Sequence, residues 1–350
     1  MSIAVANRPS DGSEGPDGST PGPVAVSIVG YRNPDDICAC LAALEQSTAS
    51  DFIVLICENG GVDSYRRLVE MFAGILQPDR DVPAVATDRV AEAWRGRMPG
   101  GQIVEVLCAE DNLGYAGGVN TTVKRLAAYD GWRAVWVLNP DTQPDEGALA
   151  GLIAKAASDP SYGVIGSRLV LKASNTIQAY GGRWRTLMGR GFNIGLHQSA
   201  EAITDAKAIE REMTYVLGAS MYVTRSFIDA VGLMDEQYFL YVEEVDWCFR
   251  RGAFKLGYAG DSVVNHLHGS TLGSNVTRRF RSRLSVYLDE RNKHIFSKKF
   301  FPHLYPLIAI STLALTAQYL KAAAWRNFLF ALSGWWGGVT GKVGKPVWMR

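Results

Sequence analysis

Three carboxylates, Glu243, Glu244 and Asp246, lie together in the segment YFLYVEEVDWCFR, whose other residues are largely aromatic or apolar. Burying like charges this close together is costly unless a proton, a cation or a polar ligand shares the space. A carboxylate in such surroundings can have a raised pKa and act as a general base. The alternative is an exposed acidic helix face, the usual meaning of a charge cluster, but the flanking aromatic residues disfavour it. The segment therefore indicates a candidate catalytic site.

The run SVVNHLH follows this cluster and contains His266 and His268. Side chains two apart in a strand point to the same face, so both imidazoles could hold one metal ion or phosphate. A lone histidine is more often a hydrogen-bonded core or surface residue. The pair, following a carboxylate cluster, favours a role in the site.

The segment VLNPDT places Asn139 and Asp141 at the end of an apolar run. Hard oxygen ligands suit magnesium or manganese, and Asp141 could bind such a cation where it neutralises a diphosphate. The alternative is an ordinary strand-ending turn, since Asn-Pro-Asp is common turn chemistry.

Glycines 114, 117 and 118 occur in DNLGYAGGVN, which leads into a helical pattern. Such a turn allows backbone amides to approach a nucleotide closely. No Gly-Lys-Ser/Thr follows, so the segment is not a Walker loop, and it is not a strict dinucleotide fingerprint. A tight strand-to-helix turn without a ligand is the alternative.

Apolar strand patterns alternate with helical patterns through the first part of the chain. The strand patterns are VAVSIVGY, DFIVLICENGG, IVEVLCAE and AVWVLNPDT. This alternation predicts an α/β fold with a mainly parallel central sheet and helices on both faces. Ligands collect at the carboxyl ends of such strands. The sequence places the polar residues Glu58, Asp111, Asn112, Asn139 and Asp141 there.

Composition divides the chain into three parts. Residues 1–23 are rich in Gly, Pro, Ser and Asp and are predicted to be a disordered tail. Residues 24–275 form the predicted globular domain, with a surface insertion at about 78–102. The glycine-rich segments YGGRW and GRGFNIG are predicted turns near a ligand. Residues 276–350 form a basic and then apolar C-terminal extension of predicted helices.

The 350 residues, 47% of them hydrophobic, suffice for one large domain with an appendage. A net charge of +1 gives no reason to expect nucleic-acid binding. Five cysteines without a CxxC pair are typical of reduced thiols, and the N-terminal residues lack the pattern of a secretory signal. We therefore expect the catalytic part to be cytoplasmic.

The C-terminal extension suggests contact with a membrane surface. The segment from Phe300 to Leu320 has no charged residue and is close to the roughly 20 residues that cross a bilayer. Its two prolines and its polar residues, with Trp325, Trp335 and Trp336 following, favour helices that lie at the membrane interface instead. The alternative is that these helices pack against the domain or a second copy of the chain, as in a homo-oligomer.

Taken in order, these motifs and YVLGASMYVTRSFIDAVGLMDEQYFLYVEEVDWCFR resemble the family 2 glycosyltransferases with a GT-A fold. Within that family the chain is most similar to bacterial rhamnosyltransferase-like and galactofuranosyltransferase-like enzymes. The resemblance extends from about Val24 to Asn292. The ordered series is more specific than any single motif.

The resemblance implies roles for individual residues. Asp141 matches the metal-binding carboxylate of the DxD-like motif, and His266 matches the histidine that completes the metal site. Glu244 falls at the catalytic base, with Asp246 as the second candidate. The residues implied to bind the nucleotide or donor are Tyr31, Glu58, Asn112, Gly114, Asn120, Asn139 and Gly218, and Asp235 would face the donor phosphates or the acceptor.

Three positions depart from the family pattern. Glu58 and Glu244 each replace an aspartate, and Asn139 replaces the first aspartate of a full DxD motif. Glu244 is one methylene longer than the usual base, which keeps Asp246 open as the alternative.

The resemblance implies an inverting transfer of a sugar from a nucleoside diphospho-sugar, with manganese or magnesium as cofactor. The favoured donor is a deoxythymidine-diphospho-rhamnose, and a uridine-diphospho donor carrying galactofuranose or N-acetylglucosamine is the alternative. The acceptor would be a hydroxyl of a glycan or polyprenyl-diphosphate-linked sugar at the cytoplasmic face of the inner membrane, in cell-surface polysaccharide synthesis. A non-catalytic scaffold subunit that binds sugar nucleotides is the alternative from another class.

Overall fold

A computed structural model describes residues 22–79, 89–267 and 278–349 of the chain. Its strands are β1 (Val24–Gly30), β2 (Phe52–Glu58), β3 (Gln77–Pro78), β4 (Val90–Arg97), β5 (Ile103–Ala109), β6 (Ala134–Leu138), β7 (Thr142–Pro144), β8 (Tyr162–Leu171), β9 (Thr176–Ala179), β10 (Gly181–Arg185), β11 (Arg190–Ile194), β12 (Ser220–Thr224) and β13 (Lys255–His266). Its helices are α1 (Pro34–Glu45), α2 (Val62–Ala73), α3 (Gly114–Arg125), α4 (Ala148–Ser158), α5 (Ala206–Glu212), α6 (Arg225–Val231), α7 (Glu243–Phe249), α8 (Arg283–Phe300), α9 (Tyr305–Lys321) and α10 (Trp325–Val339).

The central sheet has the order β3-β4-β5-β2-β1-β6-β12-β8-β13-β7 through the described residues, with β9 paired to β8. Strands β5, β2, β1 and β6 are mutually parallel, as the alternation of strands and helices predicts. Strand β13 runs parallel to β8, and antiparallel ladders join β12 and β7 to this sheet. The predicted α/β class is confirmed.

Helices cover both faces of the sheet because successive residues of each buried strand point to opposite sides. On β1, Val24 and Ile28 belong to the core beneath α1, α2 and α4, whereas Ala25 belongs to the core beneath α3, α6 and α7. The parallel strands are buried on both faces and read as continuous apolar runs. Their carboxyl ends therefore open at one edge, between the two layers of helices.

The segment predicted as a surface insertion contains strand β4, which pairs antiparallel with β5. Polar and apolar residues alternate only weakly along β4, because the strand carries the buried Arg95. Arg95 lies 3.4 Å from Glu105 of β5, and Arg125 of α3 lies 2.6 Å from the same carboxylate. Glu105 is fully buried, and a buried carboxylate needs paired positive charges to compensate for its lost hydration. The two guanidinium groups supply these charges. Strand β4 thus extends the sheet at its edge.

The segments YGGRW and GRGFNIG form strands β10 and β11 of a small antiparallel hairpin, and the prediction of turns there was wrong. The glycines serve close packing: a Cβ at Gly182 or Gly191 would lie 2.0 or 2.1 Å from Tyr215 side-chain atoms. Glycine in a strand commonly marks such a close approach.

The first helix of the C-terminal extension belongs to the main core. Phe296 of α8 packs against Trp184 and Phe249 with ring centroids 4.5 and 4.8 Å apart. Helices α9 and α10 pack on α8. Across the described ranges, no helix combines the length and apolar character that crossing a bilayer requires. The predicted N-terminal tail, apart from residues 22 and 23, and His268 lie outside the described residues.

Candidate functional site

A cavity of about 330 Å³ opens at the carboxyl ends of β1 and β6. Its walls come from the ends of these strands, the first turn of α3, strand β9, the start of α7 and the end of β13. The lining residues are Val29, Tyr31, Asn33, Tyr115, Asn139, Pro140, Asp141, Gln178, Leu217, Gly218, Ala219, Leu240, Tyr241, Glu243, Glu244 and His266. The cavity lies where ligands collect in open α/β sheets.

Asp141 and His266 meet on one wall of this cavity. Oδ1 of Asp141 lies 3.1 Å from Nε2 of His266. Strand β7 begins directly after Asp141 and pairs antiparallel with β13, so that Thr142 lies opposite His266. The backbone amide of Leu267 also donates to the carbonyl of Asp141 at 3.0 Å. The backbone of two paired strands therefore fixes both side chains.

Gln178 of β9 orients the imidazole of His266. Its Oε1 lies 2.7 Å from Nδ1 of His266, and since a carbonyl oxygen only accepts, Nδ1 carries the proton. The neutral tautomer that carries this proton has the lone pair of Nε2 facing the Asp141 carboxylate. Two acceptors that face each other require a proton or a cation between them. This donor set fits a divalent metal, with Gln178 as the partner that fixes the tautomer.

No cluster of three or more His, Cys, Asp or Glu side chains suited to a metal ion occurs in the described part of the chain. Magnesium commonly binds through one or two protein carboxylates plus substrate phosphates and water. A pair such as Asp141 and His266 is thus compatible with a metal whose remaining ligands come from a bound diphosphate.

Glu243 and Glu244 begin α7 and line the cavity together. Burial raises the pKa of Glu244 to about 7, against an ordinary value of 4.5. Burial, and then the charge of Glu244, raise the pKa of Glu243 well above the ordinary range. A carboxylate with a pKa near neutrality can accept a proton at physiological pH.

The other base candidate, Asp246, lies away from the cavity and is fully buried. Arg250 and Lys299 donate to its two oxygens at 2.6 and 2.7 Å, and the hydroxyl of Tyr238 donates at 3.0 Å. Each oxygen thus has a cationic donor. The structure places Glu244, and not Asp246, at the cavity wall.

Tyr115, in the first turn of α3, joins the two sides of the cavity. Its hydroxyl lies 2.8 Å from the carbonyl of Gly218 and 3.1 Å from Oδ1 of Asn139. Burial, and then the charges of Glu243, Glu244 and Asp141, raise the pKa of Tyr115 well above its ordinary value. The hydroxyl therefore stays protonated and donates.

Of the residues predicted to contact the nucleotide or donor, Tyr31, Asn139 and Gly218 line the cavity. The remaining four, Glu58, Asn112, Gly114 and Asn120, do not line it, and the side chains of the three other than Gly114 hold neighbouring loops. Glu58 accepts from the amides of Arg32 and Gly60, Asn112 accepts from the amide of Gly114, and Asn120 bonds both to the backbone of Met234 and to Glu236.

Several cavity residues, among them Tyr115, Gln178 and Tyr241, were not predicted to line the site. Gln178 lies in a short strand that has no motif of its own, and nothing in its sequence neighbourhood indicates a site. Tyr241 lies within the YFLYVEEVDWCFR segment, where the aromatic residues predict apolar surroundings for the carboxylates and no ligand contact of their own. Tyr115 lies in the glycine-rich motif DNLGYAGGVN, whose glycines predict ligand contact through backbone amides and not through the tyrosine side chain.

Comparison with known proteins gives relatives that are glycosyltransferases. The chain is 21% identical over 309 residues to the low-salt glycan biosynthesis hexosyltransferase Agl10 of Haloferax volcanii, covering 87% of this chain and 95% of the relative. It is 29% identical over 229 residues to the N-acetylglucosaminyl-diphospho-decaprenol L-rhamnosyltransferase of Mycobacterium tuberculosis, covering 60% of this chain and 73% of that enzyme. No protein-family model matches the chain.

Solved structures share the fold at low identity. The mannosyltransferase PcManGT from Pyrobaculum calidifontis, in complex with GDP-Man and Mn²⁺, superposes with a TM-score of 0.50 at 12% identity, covering 95% of this chain and 90% of that one. GalNAc-T7 with UDP, GalNAc and Mn²⁺ gives a TM-score of 0.52 at 12% identity, covering 89% of this chain and 55% of that one. The relatives and the shared fold confirm the resemblance carried by the motifs: the chain is a glycosyltransferase with a GT-A fold, consistent with family 2.

Proposed function

We propose that the chain transfers a sugar from a nucleoside diphospho-sugar to a hydroxyl of a glycan or lipid-linked acceptor, with inversion at the anomeric carbon. One observation carries this proposal: the cavity has the Asp141–His266 pair on one wall and Glu244 on another. The pair suits the diphosphate end of a donor, and a carboxylate with a pKa of about 7 suits the acceptor hydroxyl.

Asp141 and His266 would hold manganese or magnesium, with Gln178 fixing the imidazole. A divalent metal bound there supplies stabilisation of the negative charge that develops on the leaving diphosphate. The glycosyltransferase structures of similar fold that contain Mn²⁺ support this choice of cofactor.

Glu244 acts as the general base in this proposal. The acceptor oxygen forms a bond to the anomeric carbon, the bond from that carbon to the diphosphate oxygen breaks, and Glu244 takes the hydroxyl proton. The nucleoside diphosphate leaves with the bonding electrons. A single displacement inverts the anomeric centre. Asp246, whose oxygens are held by Arg250 and Lys299, is a less suitable base.

We favour deoxythymidine-diphospho-rhamnose as the donor. The favoured acceptor is a hydroxyl of a sugar linked to a polyprenyl diphosphate. The mycobacterial relative, named as an L-rhamnosyltransferase for N-acetylglucosaminyl-diphospho-decaprenol, supports both choices. Uridine-diphospho donors of galactofuranose or N-acetylglucosamine are the alternative within the same reaction class.

We further propose that α9 and α10 attach the enzyme to the cytoplasmic face of a membrane. Their outward surface, the α9–α10 face, consists of Leu307, Ile310, Leu313, Leu329 and Trp336. Ile310, Leu329 and Trp336 are 68%, 62% and 59% exposed, whereas outward positions of a surface helix are normally polar. Exposed apolar side chains of this extent are typical of an interaction surface. Lys321 and Arg326, exposed at the turn between these helices, would meet anionic lipid headgroups.

The decisive experiment is a thermal-shift panel of nucleoside diphosphates and their sugars, with and without manganese, followed by turnover of each stabilising donor. Ligands of the native state raise the melting temperature by mass action. We expect a thymidine nucleotide to give the largest manganese-dependent shift, and Asp141→Ala to abolish that shift. Asp145→Ala is the matched control, because Asp145 directly follows β7 and accepts a hydrogen bond from Asn265 outside the cavity.

Each outcome separates the alternatives. Larger melting-temperature shifts with uridine nucleotides would indicate a uridine-diphospho donor in place of the deoxythymidine-diphospho donor, and the reaction class would be unchanged. Manganese-dependent release of nucleoside diphosphate that Glu244→Gln abolishes supports the enzyme. Binding without turnover of any donor, unaffected by Asp141→Ala and Glu244→Gln, would indicate the scaffold subunit.

A further inference from the structure

The loop of residues 238–242, which leads into Glu243 and Glu244, has an unusual backbone. Phe239, Tyr241 and Val242 have φ angles of 66°, 71° and 76°. Side chains other than glycine rarely adopt this left-handed region, and a β-branched residue such as Val242 does so least of all. Strained backbone of this kind persists only where its surroundings enforce it.

Asn292, a fully buried residue of α8, supplies one part of those surroundings. Its side-chain Nδ2 lies 2.7 Å from the carbonyl of Tyr241, 2.8 Å from that of Leu240 and 3.0 Å from that of Tyr238. The two hydrogens of this one amide group are thus shared among three carbonyls of the five-residue loop.

Arg291 fixes the orientation of that amide. Its Nε donates to Oδ1 of Asn292 at 2.9 Å, which turns Nδ2 toward the loop. Its Nη2 donates to the carbonyl of Tyr238 at 2.8 Å, and its Nη1 to the carbonyl of Gly344 at 2.6 Å. The guanidinium is almost completely buried, so these acceptors replace its hydration.

The first turn of α3 holds the loop from the opposite side. The amide of Tyr115 donates to the carbonyl of Phe239 at 2.7 Å. Gly114 itself has a φ of 74°, and a Cβ there would lie 2.1 Å from the same carbonyl oxygen. The loop is therefore held between α3 and α8. It leads directly into α7, which begins with the cavity carboxylates Glu243 and Glu244.

We propose that Asn292 and Arg291 are positioning residues for the transfer: they hold the 238–242 loop in its left-handed conformation and thereby place the Glu244 carboxylate at the cavity wall. This inference rests on the proposed function, because it takes Glu244 as the base. Without the three carbonyl bonds, the loop relaxes toward ordinary φ values, which rotates the first turn of α7. A base displaced by about 1 Å can lower a rate by a factor of about 100.

The test compares Asn292→Ala with Asn327→Ala. Asn327 is a matched control: it is a buried asparagine of α10 whose Nδ2 donates to the carbonyls of Arg278 and Arg281 at 2.6 and 3.1 Å, away from the loop. We expect Asn292→Ala to lower kcat about tenfold to a hundredfold. The affinity for nucleoside diphosphate and manganese should stay unchanged, since Asp141 and His266 lie on other elements.

Two further readouts distinguish positioning from a loss of stability. In Asn292→Ala, backbone amides of residues 238–244 should exchange with deuterium faster, and the acid limb of the kcat profile should move to lower pH as Glu244 becomes more hydrated. Asn327→Ala should change neither. Equal effects in both variants, or unchanged exchange in Asn292→Ala, would overturn the proposal.

Failure of the proposed function gives a different pattern. If Glu244→Gln turns over as well as the unsubstituted chain, the assignment of the base is wrong. Exchange of residues 238–244 then still decides whether Asn292 holds the loop. If Glu244→Gln is inactive while Asn292→Ala keeps full kcat, the base stands and the positioning role is wrong.

Discussion

Nε2 of His266 lies 3.1 Å from Oδ1 of Asp141, although 125 positions separate the two residues in the chain. Pairing of β7 with β13 produces this contact, because Asp141 immediately precedes β7 and His266 ends β13. The two proposed metal ligands thus meet through backbone hydrogen bonds of the sheet.

Substituting Gln178 tests whether the imidazole must be oriented. We expect Gln178→Ala to weaken manganese binding about tenfold to a hundredfold, because partners that orient a metal-binding histidine have effects of this size. The measurement is a manganese titration of nucleoside diphosphate binding followed by thermal shift. Gln143→Ala is the control, since Gln143 lies on β7 and contacts Lys172 outside the cavity. Equal affinities in both variants would contradict the role of Gln178.

The pH dependence of activity follows from the raised pKa of Glu244. A base must be deprotonated to accept the hydroxyl proton, so kcat should fall as the pH drops below about 7. Glu244→Gln should remove nearly all turnover at every pH. Asp246→Asn should instead lower the melting temperature, because it removes the charge that pairs with Arg250 and Lys299. An acid limb near the ordinary value of 4.5 would contradict this assignment.

The same carboxylate should destabilise the folded protein at high pH. Its pKa is about 7 when folded and ordinarily 4.5, so the folded state binds more protons between these values and stability falls as the pH rises through them. Glu244→Gln should therefore be more stable than the unsubstituted chain by about 1 to 3 kcal/mol at pH 8, on the order expected from this shift, with no gain below about pH 4. Urea unfolding at both pH values measures this. The exposed Glu212→Gln should show no such difference.

Two glycine substitutions should affect different properties of the protein, one its stability and the other its activity. Gly114→Ala should destabilise by about 1 to 3 kcal/mol, because Gly114 has a φ of 74° and its Cβ would meet the carbonyl of Phe239. Gly218→Ala should leave stability unchanged, since its Cβ would meet the hydroxyl of Tyr115 at an ordinary 3.4 Å. That methyl group enters the cavity beside Glu244, so we expect kcat/KM to fall. Thermal melts and donor kinetics on both variants test this.

Membrane attachment can be tested on the α9–α10 face. Ile310→Glu together with Leu329→Glu should abolish co-sedimentation with vesicles that contain anionic lipid, because a charge opposes burial in the bilayer interface. Leu196→Glu, at an exposed position of the small hairpin's end, is the control. If the double variant changes the oligomeric state and leaves vesicle binding intact, the face is an interface between two copies of the chain.

The parallel half of the sheet could be predicted because its signals are local. Strands β1, β2, β5 and β6 are largely apolar runs with polar residues at or soon after their ends, and helical spacing follows each. Strand β4 was missed because Arg95 faces a buried partner from another strand, a pairing that local alternation cannot reveal. The glycines of β10 and β11 predict turns when only their sequence neighbourhood is considered. They are needed because Tyr215, which is distant in sequence, packs against them.

The candidate site divides in the same way. Asp141, His266 and Glu244 were named from motifs, and all three line the cavity. Glu58 and Asn120 were also named from motifs, but they hold loops and do not line it. Gln178 and Asn292 could not be predicted, because each acts through contacts with residues that are distant in sequence.

The bond from Arg291 to Gly344 also orders events during synthesis. The parallel strands β1, β2, β5 and β6 can form when the first part of the chain has emerged from the ribosome. The 238–242 loop acquires its last partners later, because the amide of Gly344 donates to the carbonyl of Gln237 and its carbonyl accepts from Arg291. We therefore expect the loop beside Glu244 to reach its final conformation only after Gly344 has been synthesised.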